Sequence, residues 1–221
     1  MLNIINKGSI QNKFIDYLNG NDYVFKYKHY SFLIFSCKKI QKELESLLTD
    51  VFIDPIFLYT EEDVIVIYHD EEVDDNEFLD IAMSLSIDGD EKIKVLKGCN
   101  IDISNRECLD AFYSCYLKFK DKEYIYAQVS DMILDLVSKN EIKDLVKIKK
   151  LILYKILEDN QLVKLIMGMF ECDLNVTKTA SFMYMHRNTI NNKIEYIKKE
   201  TGFNIQRFKD AMCLYLMIKM I

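Results

Sequence analysis

Two hydrophobic periods alternate through the first hundred residues. SFLIFSC (31–37) is a short, continuous apolar run rich in aromatics, the signature of a buried strand. In KKIQKELESLLTDVF (38–52), Ile40, Leu44, Leu47, Leu48 and Val51 recur at helical spacing. PIFLYT (55–60) and DVIVIYH (63–69) are β-branched and aromatic, and only Glu61 and Glu62 separate them, which predicts a hairpin. NEFLDIAMSLSI (76–87) returns to helical spacing through Phe78, Ile81, Ala82 and Leu85, and KIKVLKG (92–98) alternates until it stops on glycine. The order β-α-β-β-α-β is the split βαβ, ferredoxin-like arrangement: an antiparallel sheet with both helices on one face.

From about residue 103 the pattern is helical to the end. SNRECLDAFYSCYLKF (104–119) opens on a Ser cap and places Leu109, Phe112, Tyr113, Tyr116 and Leu117 on one broad face. VSDMILDLVS (129–138) and EIKDLVKIKKLILYKILED (141–159) follow, their Met, Tyr and Leu stripes serving as packing surface. LVKLIMGMFEC (162–172) forms one helix, and Asn175 caps a second that holds Thr177, Lys178, Ala180 and Phe182. A break at 183–185 leads to a third, beginning near His186, with Ile190, Ile194 and Ile197 facing inward and Thr201-Gly202 as its stop.

Composition narrows the function. Half of the 221 residues are apolar, and no apolar run reaches the roughly 18 residues of a membrane span. The start, MLNIINKGSIQNKF, lacks the apolar segment and cleavage site of a signal peptide, so a cytoplasmic protein is expected. The six cysteines are scattered, without a CxxC pair or a nearby histidine, which argues for buried thiols and against zinc. There is no Gly-rich phosphate loop, GxSxG elbow or HExxH motif; neither cofactor nor metal is expected. Residues 61–91 hold thirteen Asp or Glu and no Lys or Arg. The cluster Asp70, Glu71, Glu72, Asp74 and Asp75 lacks the ligand order and turn glycine of a calcium loop and reads as a solvated, self-repelling segment.

The net charge of −6 is unevenly divided: 1–160 carries −10 and 161–221 carries +4. A basic end on an acidic body hints at nucleic-acid contact there. Two short helices joined by a tight turn, the second opening on amides, hydroxyls and bases, describe a helix-turn-helix. Asn pairs bidentately with adenine, Arg with guanine, and Thr meets a phosphate or a thymine methyl. Free N–H groups at the helix start face phosphate well. The candidate DNA-contacting residues are Asn175, Thr177, Lys178, His186, Arg187, Asn188, Thr189, Asn191, Asn192 and Lys193.

Asn175-Val-Thr177, Ala180, His186-Arg187-Asn188-Thr189, Ile190, Ile194, Ile197, Thr201-Gly202 and Phe208-Lys-Asp210-Ala211 with Leu214 together resemble the C-terminal DNA-binding domain of PucR-family bacterial transcription regulators, which include the sugar-diacid regulators. The turn and third helix also resemble those of the nucleoid protein Fis. Where the family continues with Arg, an aromatic and Arg, this chain has Asn191, Asn192 and Lys193. That departure weakens phosphate affinity or shifts the helix's work toward base reading. The β-α-β-β-α-β body resembles, by element order, the degenerate GGDEF-like domain that family members carry upstream. With about 30 residues before the first strand, the family's separate effector-sensing domain is expected to be missing.

The resemblance implies an α+β protein: a ferredoxin-like, degenerate GGDEF-like domain, then an all-α region ending in a Fis-like helix-turn-helix. The expected boundaries are an N-terminal extension at 1–30, the GGDEF-like domain at 31–125, connecting helices at 126–160 and the DNA-binding domain at 161–221. The expected function is transcriptional regulation through double-stranded DNA, as a homodimer. Apolar residues in 141–159 and in AMCLYLMIKMI (211–221) offer surface for pairing. Two other readings compete: an interaction module that only dimerises, and a nucleotide cyclase descended from the GGDEF architecture. The second would need glycines in the hairpin turn, where this chain has YTEED.

Overall fold

Strand β1 (His29–Ser36) is the centre of a sheet whose other members come from both sides of it in sequence. The computed structural model describes residues 9–22, 27, 29–39, 41–69, 75–88, 92–102, 105 and 107–219, and the chain divides into two compact units, 1–132 and 133–221.

In the first unit, α1 (Ser9–Leu18) is followed by β1, α2 (Gln41–Val51), β2 (Ile56–Tyr59), β3 (Asp63–Tyr68), α3 (Asp75–Asp88), β4 (Lys94–Lys97), β5 (Ile101–Asp102), α4 (Glu107–Phe119) and β6 (Tyr126–Gln128). The sheet order is β2-β3-β1-β4-β6, with β5 pairing off the end of β1. β2, β3, β1 and β4 are antiparallel throughout, which is the ferredoxin-like order expected from the sequence.

Register decides which residues share a face. Leu33 opposes Val66, and Phe35 opposes both Val64 and Val95, so these side chains point one way. They form one core with Phe57, Tyr59 and Tyr68, closed by Leu44 and Leu48 of α2 and Phe78, Ala82 and Leu85 of α3. The other face, with Phe32, Ile34, Leu58, Ile65, Ile67 and Leu96, is just as buried. It is covered by α4, whose Phe112 ring lies 5.3 Å from that of Phe32. Gly98 lies tight against this face: a Cβ there would stand 2.4 Å from the Phe32 ring.

Three features differ from the sequence expectation. The chain is not wholly helical after 103, because Tyr126–Gln128 pair in parallel with β4 as a sixth strand. Ser104 lies outside the described residues, and Asn105 does the capping there, its carboxamide oxygen accepting from the Glu107 N–H at 3.2 Å. Leu117 is exposed rather than part of the buried face of α4. The acidic residues 70–74 also lie outside the described residues.

From the boundary onward run α5 (Val129–Ser138), α6 (Ile142–Glu158), α7 (Asn160–Glu171), α8 (Val176–Phe182), α9 (Arg187–Thr201) and α10 (Phe208–Lys219). Leu145, Ile148, Ile152, Leu153 and Ile156 of α6 are buried in a helix that packs on α7, α9 and α10. Ile142, Val146, Leu151 and Leu157 are half-buried, so most of the wide apolar stripe is ordinary core. The same holds for Ala211, Cys213, Leu214 and Met217 of α10. Among the described residues no helix is long and apolar enough to cross a membrane, and no cluster of His, Cys, Asp or Glu could hold a metal.

Candidate nucleic-acid interface

The geometry of α8 and α9 is set by their ends. Asp173 and Leu174 both take positive φ, 57° and 58°, which reverses the chain after α7. Asn175 then sits in extended conformation, and its side-chain oxygen accepts from the Lys178 N–H at 3.0 Å. This is an N-cap, satisfying a donor that the first turn leaves without a partner. α8 ends in a second reversal, where Tyr184 takes φ 55° and the Met185 N–H donates to Ala180 O at 2.9 Å. That bond, across five residues, is a Schellman closure, which usually relies on glycine at the left-handed position.

His186 follows in extended conformation and caps α9, its Nδ1 accepting from the Asn188 N–H at 3.2 Å. Ile190, Ile194 and Ile197 are buried, as their spacing requires. At the far end Gly202 takes φ 76° and its N–H returns to Lys198 O, while the Thr201 hydroxyl donates to Ile197 O and accepts from the Phe203 N–H. Lys155 of α6 pairs with Glu200, and the buried Asp210 carboxylate accepts from the Asn204 N–H at 3.0 Å. The face of α9 that carries the isoleucines is thus locked, which leaves its opposite face for a ligand.

The candidate residues divide by what their side chains already do. Asn175 and His186 are exposed but use an acceptor on capping, Thr177 is exposed, and Lys178 lies 3.2 Å from Asp173 in an exposed ion pair. Arg187, Asn188, Thr189, Asn191 and Asn192 are exposed, and Lys193 is half-buried. Among the described residues, none bonds or ion-pairs with the side chains of these six. They crowd the first two turns of α9, where its free N–H groups and positive dipole end also point. Such a surface can donate to phosphate oxygens and present amide and guanidinium forks to base edges.

The PucR C-terminal helix-turn-helix domain family matches residues 162–220, the span from α7 through α10. Residues 162–220 are a PucR C-terminal helix-turn-helix domain. In this PucR domain α8 and α9 are the two helices of the motif, and Met183–Met185 the turn. No curated protein matches the chain. Among solved structures, the chain is similar to the regulator of polyketide synthase expression from Bifidobacterium adolescentis. The two share 9% identity, and the alignment covers 88% of this chain and 80% of that one, with a TM-score of 0.43.

Sequence reading missed two exposed side chains around the PucR motif. Tyr184 in the turn is 97% exposed. Glu195 lies seven residues after Asn188 and is exposed on the same side of α9, a spacing that was available from the sequence.

The hairpin turn between β2 and β3, the place where a cyclase would hold its nucleotide, is occupied by its own contacts. Glu62 is bracketed by Lys38 and Lys120, each 2.7 Å away, and these two cations hold its carboxyl at about 2, well below the usual range. Asp63 is fully buried and accepts from the phenols of Tyr113 at 2.7 Å and Tyr116 at 3.0 Å. Burial, and the negative charge of Asp63 behind it, push both phenols far up from their ordinary value.

Proposed function

We propose that the protein is a transcription regulator that binds specific double-stranded DNA through α8 and α9, working as a homodimer. The observation that carries this reading is the set of uncommitted polar side chains at the start of α9, from Arg187 to Lys193, inside a PucR helix-turn-helix domain. Asn191 stands where the family has a fixed charge and Asn192 where it has an aromatic, so base reading supplies more of the affinity and phosphate attraction less.

The hairpin turn supports a non-enzymatic body. A catalytic carboxylate must be available to metal and nucleotide, whereas Glu62 is neutralised by two lysines and Asp63 is held by two tyrosines. Thr60 and Glu61 stand where a nucleotide would need glycine for close backbone approach.

Electrophoretic mobility of the full chain on the DNA upstream of its own gene tests the reading. A shift that resists excess unrelated DNA supports regulation at specific sites. Binding that unrelated DNA removes equally well would reduce the protein to a sequence-independent binder, and no shift at all would leave the interaction module as the better account.

A further inference from the structure

On α9, Asn188, Asn192, Glu195 and Lys199 fall at i, i+4, i+7 and i+11, a single exposed stripe opposite buried Ile190, Ile194 and Ile197. Three of the four suit a polyanion. Glu195 does not: it is a carboxylate in the middle of the surface assigned to DNA. It is exposed, and it makes no hydrogen bond or ion pair with any described residue, so no fold contact accounts for it.

A carboxylate brought near phosphates is repelled, and repulsion grows as the interface excludes water. The cost is offset only where the carboxylate finds a donor. The major groove offers two kinds, the N4 amino group of cytosine and the N6 amino group of adenine. Guanine and thymine present acceptors at the corresponding positions, O6 and N7 or O4, and an ionised carboxylate has nothing to donate to them. Adenine's paired acceptor and donor suit an amide better, and Asn191 and Asn192 supply amides one turn earlier. We infer that Glu195 is a specificity-determining residue that accepts a hydrogen bond from cytosine N4 and rejects guanine and thymine at that position. This rests on the DNA-binding reading and deepens it.

The helix geometry also locates the base. Eight residues separate Arg187 from Glu195, a rise of about 12 Å along α9. With bases spaced about 3.4 Å along the duplex, a helix lying along the groove would set the cytosine roughly three base pairs from the level of Arg187.

The test is selection of binding sites from a randomised duplex library by the full chain and by E195Q and E195A, followed by affinity measurement at one salt concentration. The wild type is expected to enrich a cytosine in each half-site, and replacing it should weaken binding at least about five-fold. E195A should lose that preference and bind all four bases at the position within about two-fold, whereas E195Q should move toward adenine, the base an amide pairs with. Circular dichroism of both variants should match the wild type, which Glu195's exposure makes the expected result. If E195A keeps the wild-type site profile and simply binds every sequence more tightly, Glu195 is a repelled bystander and the inference fails while DNA binding stands. If the wild type enriches no sequence, the DNA-binding reading fails and takes this one with it.

Discussion

At the scale of single residues, Gly98 and Glu62 carry most of the testable chemistry of the first unit. Gly98 donates its N–H to Phe32 O at 2.8 Å, and the fully buried Phe32 ring fills the space beside its Cα. G98A forces that ring off its packing against Phe112, and overpacking of this kind costs about 1–3 kcal/mol. Urea unfolding should show the loss, and combining G98A with Phe32→Leu should recover part of it. Glu62 acts through pH. Its folded value of about 2 lies below the ordinary 4.5, so its ion pairs stabilise the protein above about pH 4.5 and lose that contribution as pH falls toward 2. The carboxylate is 45% exposed, and solvent screening keeps the effect to about 1 kcal/mol or less. The stability difference between wild type and E62Q should therefore be largest near neutrality and close to nothing near about pH 2.

At the scale of elements, the helix-turn-helix stands on two caps that do not depend on distant packing. Replacing Asn175 by Ala removes the bond to the Lys178 N–H and should cost about 1 kcal/mol of stability, measurable by thermal melting. R187A tests the other side of the motif. If the guanidinium reads a base, specific binding weakens by about 1–3 kcal/mol and selectivity relaxes at one position; if it meets phosphate, affinity falls on all sequences and the salt slope shrinks by roughly one. An unchanged affinity and salt slope would remove the start of α9 from the interface. Why these elements were legible, and others not, has a physical basis. Asn175, Gly202 and the isoleucines of α9 act locally, so their sequence spacing carries the helix boundaries. The β2–β3 hairpin is legible for the same reason, two β-branched runs around a two-residue gap. β6 is not, because Tyr126–Gln128 is three residues long and becomes a strand only by meeting β4, some thirty residues earlier. The role of α4 was half visible: its apolar face could be read, but not the second face of the sheet that it covers. Glu195 is easily overlooked because its charge is the wrong sign for phosphate, although its spacing from Asn188 and from the isoleucines already sets its direction.

At the scale of the whole molecule, one helix-turn-helix reads only a few base pairs, too few to stand out among competing genomic sites. Two copies on a two-fold axis double the site and place their recognition helices about 34–36 Å apart on one face of the duplex. Light scattering of the free protein should give twice the monomer mass, and footprinting should reveal two protected half-sites roughly one helical turn apart. A monomer in both states would leave the site without its second half. Much of α6 and α10, which the sequence offered as pairing surface, is consumed inside the second unit. What remains on α6 is half-buried Ile142, Val146 and Leu157 along one edge of the buried stripe and Leu151 along the other, with Tyr154 38% exposed.

Tyr184 offers a different kind of use. The chain has 14 tyrosines and no tryptophan, so its native emission is weak and spread over both units. A tryptophan in place of Tyr184 would be the sole indole, set in water at the turn just ahead of α9. Because that ring packs against nothing, the exchange leaves the fold alone. Its emission would then shift to the blue, or be quenched, when a duplex displaces the solvent around the turn, giving an optical readout of binding in an otherwise unlabelled protein.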